Sequence, residues 1–261
     1  MYYAFRGWRR QFEGRECGGA LVWQTNDVWP AVSWAIIDYF ERPKMAYYTI
    51  ARAMRPVATG ISRRLKFNPK PNAMHEAYCA GRTRADAEGI SLHSPPHIYP
   101  PRETTYAVWV ANASTEGKRV KIRIRFISVK TGKEVRGSIE QEAEAKPTGT
   151  TEVMGGECPE EEPTVVVSEV WDLDGKLLSY DVDWPQPLKH LRFPNRGLKV
   201  EARGQEELVI SASKPVKGLF FTNDGVAWSD NALDIVPGQE VIVVGKGLKE
   251  DPSWIYYGMD D

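Results

Sequence analysis

The sequence predicts a mainly β protein, with two β-sandwiches preceded by a single α/β unit. Three observations carry that reading. From Thr105 onward, short apolar stretches recur with turn dipeptides between them, at a density that suits sandwiches rather than βαβ units. Among them, Val120, Ile122, Ile124 and Phe126 alternate with Lys121, Arg123 and Arg125, the pattern of a half-buried strand. Ahead of them, residues 1–56 read as helix, strand, loop and helix.

Met1, Phe5, Trp8 and Phe12 fall at helical spacing, with Arg6, Arg9, Arg10 and Glu13 between them, and Gly18-Gly19 stops the helix. Ala20-Leu21-Val22-Trp23 is continuous and apolar, as expected of a strand buried on both faces of a parallel sheet. Partner strands for it are not legible in the chain, so it is expected to lie on an open surface. Pro43 suits a first helical position, and Ala46, Ile50, Ala53 and Met54 give the stripe of a helix that ends at Pro56. Both helices need cover for Phe5, Trp8, Phe12, Ile50 and Met54, which the adjacent sandwich offers. Residues 66–104, with prolines at 69, 71, 95, 96, 100 and 101, are expected as a long irregular insertion.

Further on, Val165 to Trp171, Leu177 to Val182, Leu208 to Ser213, Lys217 to Thr222 and Val241 to Val244 are expected strands. Thr131-Gly132, Asp174-Gly175 and Pro237-Gly238 are expected turns. Lys121, Arg123 and Arg125 are expected on the wet face of their strand. Glu140, Glu142, Glu144 and the run Glu160-Glu161-Glu162 are expected as solvated loop charges. No internal repeat stands out.

Composition excludes several classes. Hydrophobic residues make up 42% and charged residues 26% of the 261 residues, as in ordinary globular proteins. Lys+Arg is 34 against 35 for Asp+Glu, which gives no electrostatic reason to expect nucleic acid or an anionic membrane as partner. Cys17, Cys79 and Cys158 are odd in number and widely spaced, which suits free thiols in a reducing compartment. No apolar run is long enough to span a bilayer, and Met1 to Arg10 lacks the apolar core of a signal peptide. A cytoplasmic chain is the expectation. His75, His93, His97 and His190 have no partners at metal spacing, and Pro95-Pro96 forbids a helix that would align His93 with His97. With no phosphate loop and no G-x-S-x-G motif, no cofactor, metal or serine triad is expected.

The informative stretch runs from Gly18 to Pro30. An apolar strand leads into Trp23, Gln24, Asn26, Asp27 and Trp29. In parallel α/β barrels, sites form where strands end and loops begin. There Trp23 could offer a flat apolar face to a sugar ring, and Asn26 and Asp27 could bond hydroxyls or orient a carboxylate. By spacing alone, a Trp at a strand end is more often core, and Asn-Asp before a turn is more often a cap or turn pair.

The run GGALVWQTNDVWPAVSWAIIDYFERPKMAYYTIARAMRPV resembles the final strand and helix of the (β/α)8 barrel in the β-mannosidases of glycoside hydrolase family 2. The shared positions are Trp23, Gln24, Asn26, Asp27, Trp29, Pro30, Ser33, Trp34, Asp38, Tyr39, Arg42, Pro43 and Lys44. So many Trp and Pro positions make a specific match. Pro187 to Pro194 and Trp228-Ser229-Asp230-Asn231-Ala232-Leu233-Asp234 resemble the last sandwich of the same enzymes, and Val108 to Asn112 matches more loosely.

The resemblance implies the last α/β unit of a truncated TIM barrel over residues 1–57. It implies one immunoglobulin-like sandwich over 58–186, carrying the insertion, and a second over 187–261. It also implies retaining hydrolysis of terminal, non-reducing β-mannosides, in which one Glu protonates the leaving oxygen and another attacks the anomeric carbon. In the family, both stand on strands before the one ending at Trp23, so this chain is expected to lack them and to be inactive alone. The substrate-binding set it implies is Trp23, Asn26, Asp27 and Trp29, with Trp23 as the floor of the cleaved subsite. Two rival readings are an exo-β-glucosaminidase fragment and a non-catalytic β-sandwich protein that binds sugar or packs on a partner.

Overall fold

A computed structural model describes residues 1–66, 103–159, 162–185 and 188–259. Two helices, α1 (Tyr2–Gln11) and α2 (Met45–Ala53), come first. The strands β1 (Val57–Lys66), β2 (Glu103–Asn112), β3 (Lys118–Ser128), β4 (Glu134–Ala145), β5 (Gly149–Glu157), β6 (Thr164–Trp171) and β7 (Leu177–Asp183) follow. They form two antiparallel sheets, ordered β1-β2-β5 and β4-β3-β6-β7. A short 3-10 turn (Leu188–His190) then leads to β8 (Lys199–Arg203), β9 (Glu207–Ser211), β10 (Val216–Phe221), β11 (Ala227–Trp228), β12 (Leu233–Ile235), β13 (Val241–Lys246) and β14 (Trp254–Ile255). These make sheets β12-β10-β14 and β11-β13-β9-β8, again antiparallel throughout. The protein is mainly β, with immunoglobulin-like sandwiches.

The alternation at 120–126 sets the first core. Val120, Ile122, Ile124 and Phe126 are fully buried and meet Ile61, Tyr106, Val108 and Val110 from the facing sheet. Each such side chain contributes about 1.5–3 kcal/mol by leaving water. The opposite face of β6 is also covered. Val165 and Val167 pack with Ile127, Trp184, Phe193 and Val236 in a cluster that draws on both sandwiches. That second cover explains the unbroken apolar run Val165–Val167, where a one-faced strand would alternate. In the second sandwich, Leu208, Ile210, Leu219, Phe221, Leu233, Ile235 and Val243 form the core, closed at one end by Tyr48 of α2.

One edge of β1 has no neighbouring strand among the described residues, and side chains of β7 satisfy it. The Thr59 amide donates to Ser179 Oγ at 3.2 Å, the Ile61 amide to Asp181 Oδ2 at 2.9 Å, and Arg63 Nε to Asp183 Oδ2 at 2.7 Å. The polar residues at every second position of Ser179-Tyr180-Asp181-Val182-Asp183 are all buried against that edge. Helix α1 then docks through Arg6, which ion-pairs with Asp181, and through Tyr2, whose hydroxyl donates to Asp181 at 2.9 Å.

The structure corrects the sequence-based expectations at several places. Ala20-Leu21-Val22-Trp23 is not a strand. Ala20 and Val22 turn inward toward Phe5, Ile36 and Ile50, whereas Leu21 and Trp23 face solvent, and no strand pairs with the segment among the described residues. Helix α1 ends at Gln11, seven residues short of Gly18, in a turn where Arg15 takes a left-handed φ of 54°. The face it presents to the sandwich is its polar one. Arg6 and Arg10 reach β7, β1 and β5, while Phe5 packs against α2 and Trp8 and Phe12 stay half exposed. Pro43 stands ahead of the N-cap Lys44 rather than first in the helix. Arg125 is not on a wet face. It is buried, donating from Nε to Glu134 at 2.8 Å and from Nη2 to the Pro237 carbonyl at 2.8 Å. Glu140, Glu142 and Glu144 lie on strand β4, not in a loop, paired in part with Lys121 and Arg119. The insertion expected at 66–104 lies, from 67 to 102, outside the described residues, as do Cys79, His75, His93, His97, Glu160 and Glu161.

Candidate functional site

The segment 23–44 is tied to itself by backbone bonds. The Ile37 amide donates to the Thr25 carbonyl at 2.9 Å, the Asp27 amide to the Ile37 carbonyl at 3.0 Å, and the Lys44 amide to the Ile36 carbonyl at 2.9 Å. Asn26 and Ile37 pair as a single parallel bridge, and Ile37 and Pro43 as an antiparallel one. The Trp23–Gln24 peptide is cis. This frame fixes where the candidate side chains point.

Asp27 points inward and is 8% exposed. Its Oδ1 accepts from the Ser33 hydroxyl, and its Oδ2 accepts from Lys44 Nζ at 2.9 Å. The Ser33 hydroxyl and the Lys44 ammonium together hold the Asp27 carboxyl below the usual aspartate range. Trp23 and Trp29 point outward, 75% and 72% exposed. Asn26 is exposed too, its amide nitrogen 3.4 Å from the Asp27 carbonyl. The structure therefore separates the four candidates: one anchored carboxylate inside, and two indoles and an amide on the surface. Leu21, Val28, Val32, Trp34 and Phe40 are also exposed, so residues 21–40 display a large apolar and aromatic surface. Contiguous apolar exposure of this kind is uncommon on a finished protein surface.

Sequence reasoning gave Ser33 and Lys44 no role, although both stand in the motif. Their part is to fix Asp27, and the signal was a carboxylate followed by Ser six and Lys seventeen positions later. Asp38 has an equivalent frame. Against burial, which pushes its carboxyl up, the Arg42 amide and guanidinium hold it low. Glu13 is likewise held low by its bond from Lys146. General acid catalysis by a glycosidase needs a carboxyl whose proton is retained. Asp27, Asp38 and Glu13 are all driven the other way. Among the described residues no group of three or more His, Cys, Asp and Glu could hold a metal ion.

Replacing Ser33 by alanine will move the Asp27 carboxyl up toward the ordinary aspartate value, because the largest cause of its depression is lost. Replacing Lys44 by methionine will move it in the same direction. Stability follows the depressed carboxyl: its contribution is present above the unfolded-state value and is lost as pH falls through the folded one. Carboxyl-detected NMR titration of the two variants checks the shift, and an unmoved Asp27 resonance contradicts it.

A family profile described as "Mannosidase Ig/CBM-like domain" matches residues 104–190, which span β2 to β7. The chain is 41% identical to β-mannosidase B of Aspergillus niger over 267 residues, covering 98% of this chain and 29% of that protein. The chain is homologous to part of the fungal β-mannosidases B. β-Mannosidase B of Aspergillus terreus is also 41% identical, with the same coverage of 98% and 29%. The chain thus spans about 29% of the length of the β-mannosidases it matches, as a C-terminal part. A β-D-mannosidase crystal structure from Dictyoglomus thermophilum superposes with a TM-score of 0.71 at 19% identity, over 98% of this chain and 28% of that one. An exo-chitosanase from Amycolatopsis orientalis superposes with a TM-score of 0.59 at 13% identity, over 94% and 30%. Those two likenesses show the shared fold, while the β-mannosidase relationship rests on the sequence identity.

Proposed function

We propose that the chain is the C-terminal part of a retaining β-mannosidase that removes terminal, non-reducing β-mannose. The carrying observation is the 41% identity to β-mannosidase B across 98% of the chain. On this reading, residues 1–57 belong to the last unit of a (β/α)8 barrel, followed by sandwiches over 58–186 and 187–261. Trp23 provides the floor of the cleaved sugar subsite. Asn26 and Trp29 stand beside it, and Asp27 holds the loop through Ser33 and Lys44. The exposed surface at 21–40 is the face that meets the rest of the barrel and the sugar. The two glutamates that retaining hydrolysis requires, about 5–5.5 Å apart, are supplied by other polypeptide.

A direct test is hydrolysis of p-nitrophenyl β-mannoside by the purified chain. No turnover is expected. Turnover that disappears when a glutamate within the chain is changed to glutamine overturns the assignment. In a longer polypeptide that carries the glutamates, Trp23→Ala is expected to lower kcat/KM on this substrate by about 10²-fold or more, the scale of losing substrate positioning. Preference for p-nitrophenyl β-glucosaminide would replace mannose with glucosamine as the sugar.

A further inference from the structure

We propose that Lys44 is a positioning residue for the sugar contact of Trp23, and that the second sandwich sets its place by clamping helix α2. The proposal rests on the reading of Trp23 as a subsite floor. What it adds is the support of that floor: an ion pair at the root of the loop, and behind it a clamp on a domain far along the chain.

Lys44 closes the aromatic loop from two directions. Its backbone amide donates to the Ile36 carbonyl at 2.9 Å, and the Ile36 amide in turn lies 3.2 Å from the carbonyls of both Gln24 and Thr25. Its ammonium donates to Asp27 Oδ2 at 2.9 Å and stands 3.5 Å from the Ser33 hydroxyl, which donates to the other oxygen of the same carboxylate. Asp27 is buried, and a buried charge is tolerated when it is paired, so the carboxylate depends on that ammonium. Residues 24–27 are thereby held by the backbone of Lys44 through Ile36 and by its side chain through Asp27. Trp23 directly precedes this stretch. Its indole is largely in solvent, so its direction follows from the backbone that carries it more than from packing. Binding groups work only when such supporting contacts hold them in place.

Lys44 is also the N-cap of α2, so its place depends on where that helix sits. The second sandwich fixes the helix through three side chains. Tyr48 is buried in the sandwich core. Arg52 pairs with Asp230 and donates to the Asn231 and Ala232 carbonyls at 2.7 and 2.6 Å, and Arg55 reaches Asp230 at 3.1 Å. The receiving loop is itself locked, because Asn231 accepts from the Phe221 amide at 2.8 Å and donates to the Phe221 carbonyl at 3.0 Å. Rigid elements joined by ion pairs and hydrogen bonds are the means by which distant groups couple. The path runs from Asp230 through Arg52, along α2 to Lys44, and through Asp27 to the backbone beside Trp23. The Lys44 side chain is 31% exposed, and ion pairs reaching the surface add little stability, so its loss moves the loop rather than unfolding the chain.

NMR of the ¹⁵N-labelled chain tests the mechanical half. Lys44→Met and, separately, Arg52→Lys are expected to move the indole N–H resonances of Trp23 and Trp29. The indole of Trp184, held by Asp234 at 2.9 Å, should stay in place. Kinetics of the longer polypeptide that carries the glutamates test the rest. Lys44→Met is expected to lower kcat/KM on p-nitrophenyl β-mannoside by about tenfold, mainly through KM, as for a misplaced substrate contact. Lys44→Arg keeps the charge and the donor and should return to within about threefold of the parent. In a Trp23→Ala background, Lys44→Met should cost about twofold or less, because two residues acting through one contact are not additive. A lysine needed only for folding would lower kcat with the active fraction, leave KM alone, and cost the same with or without Trp23. That pattern, or unmoved Trp23 and Trp29 indoles in either variant, overturns the proposal. Failure of the underlying reading is seen separately: Trp23→Ala alone then leaves kcat/KM unchanged, and the proposal falls with it.

Discussion

Replacing Arg6 by alanine will destabilise the chain by about 3–5 kcal/mol, the cost of leaving one partner of a buried ion pair alone. The Arg6 and Asp181 side chains are 5% and 1% exposed, so water cannot take over the lost contact. Asp181 is also the acceptor for the Tyr2 hydroxyl and for the Ile61 amide on the open edge of β1. Its displacement would therefore unsettle the helix and the sheet edge together. The exposed pair Lys121–Glu140, 48% and 46% exposed, is of the kind worth only about 0–1 kcal/mol, so Lys121→Ala is the control. The pH dependence has a definite sign. Burial pushes the Asp181 carboxyl up and Arg6 is the strongest pull downward, so the variant leaves only the Tyr2 hydroxyl and the Ile61 amide to oppose burial. A carboxyl raised in the folded state costs nothing below its unfolded value of about 4, and its penalty grows with pH up to the folded value. The difference from the parent should be smallest in acid and grow as pH rises. Urea unfolding at several pH values measures it; a difference that grows on acidification contradicts the account.

That pair shows why only part of the fold was legible. Val120 to Phe126 could be read from two-residue alternation because one face of β3 meets the core and the other meets charge. Strand β4 could not. Its half-buried apolar residues, Val135, Ile139 and Ala143, stand four apart, and its register on β3 shifts near Phe126, so the two-residue pattern never forms. Strand β7 was expected where it lies, but nothing marked Ser179, Asp181 and Asp183 as its inward side chains, which the edge of β1 needs as acceptors because it has no neighbouring strand among the described residues. The helix stripe Met1, Phe5, Trp8 and Phe12 gave the helix and misled about its orientation. Arginines can bury their charge when buried aspartates await them, and one-dimensional hydrophobicity carries no record of those aspartates.

At the candidate site, the sequence located the loop and its aromatic character. It did not separate the residues by role, since Trp23, Asn26, Asp27 and Trp29 all looked like sugar ligands. Asp27 instead faces inward, held by Ser33 and Lys44, a distinction that depends on chain reversal between Asn26 and Ile37. The motif Trp228 to Asp234 proved to be a clamp: Arg52 of α2 donates to Asp230 and to the Asn231 and Ala232 carbonyls, and Asp234 accepts from the Trp184 indole.

Replacing Arg196 by methionine will uncouple the two sandwiches. Arg196 is fully buried in the connection between them. Its Nη1 donates at 2.7 Å to the Val129 carbonyl at the end of β3, and its Nη2 donates at 2.9 Å to the Pro194 carbonyl. Its own carbonyl accepts from the Ser213 and Lys214 amides at 3.2 and 3.0 Å, which draws the start of β10 to the same point. Methionine fills much of the volume but donates nothing. Each carbonyl left buried without a donor costs about 1–3 kcal/mol, so a loss of about 2–6 kcal/mol is expected for the two. The loss falls on the junction more than on either core. Gly132, with a left-handed φ of 76°, leaves no room there for adjustment, because even a methyl group would run into the Ser213 carbonyl. With Arg196 in place, the shared cluster of Ile127, Trp184, Phe193 and Val236 should make the sandwiches melt together. Scanning calorimetry is expected to show one transition for the parent and two for the variant, the second sandwich melting first because its sheets are built from shorter strands. Arg196→Lys keeps the charge and one donor and should recover part of the coupling. A single, unshifted transition in the methionine variant would show that the apolar cluster alone joins the domains.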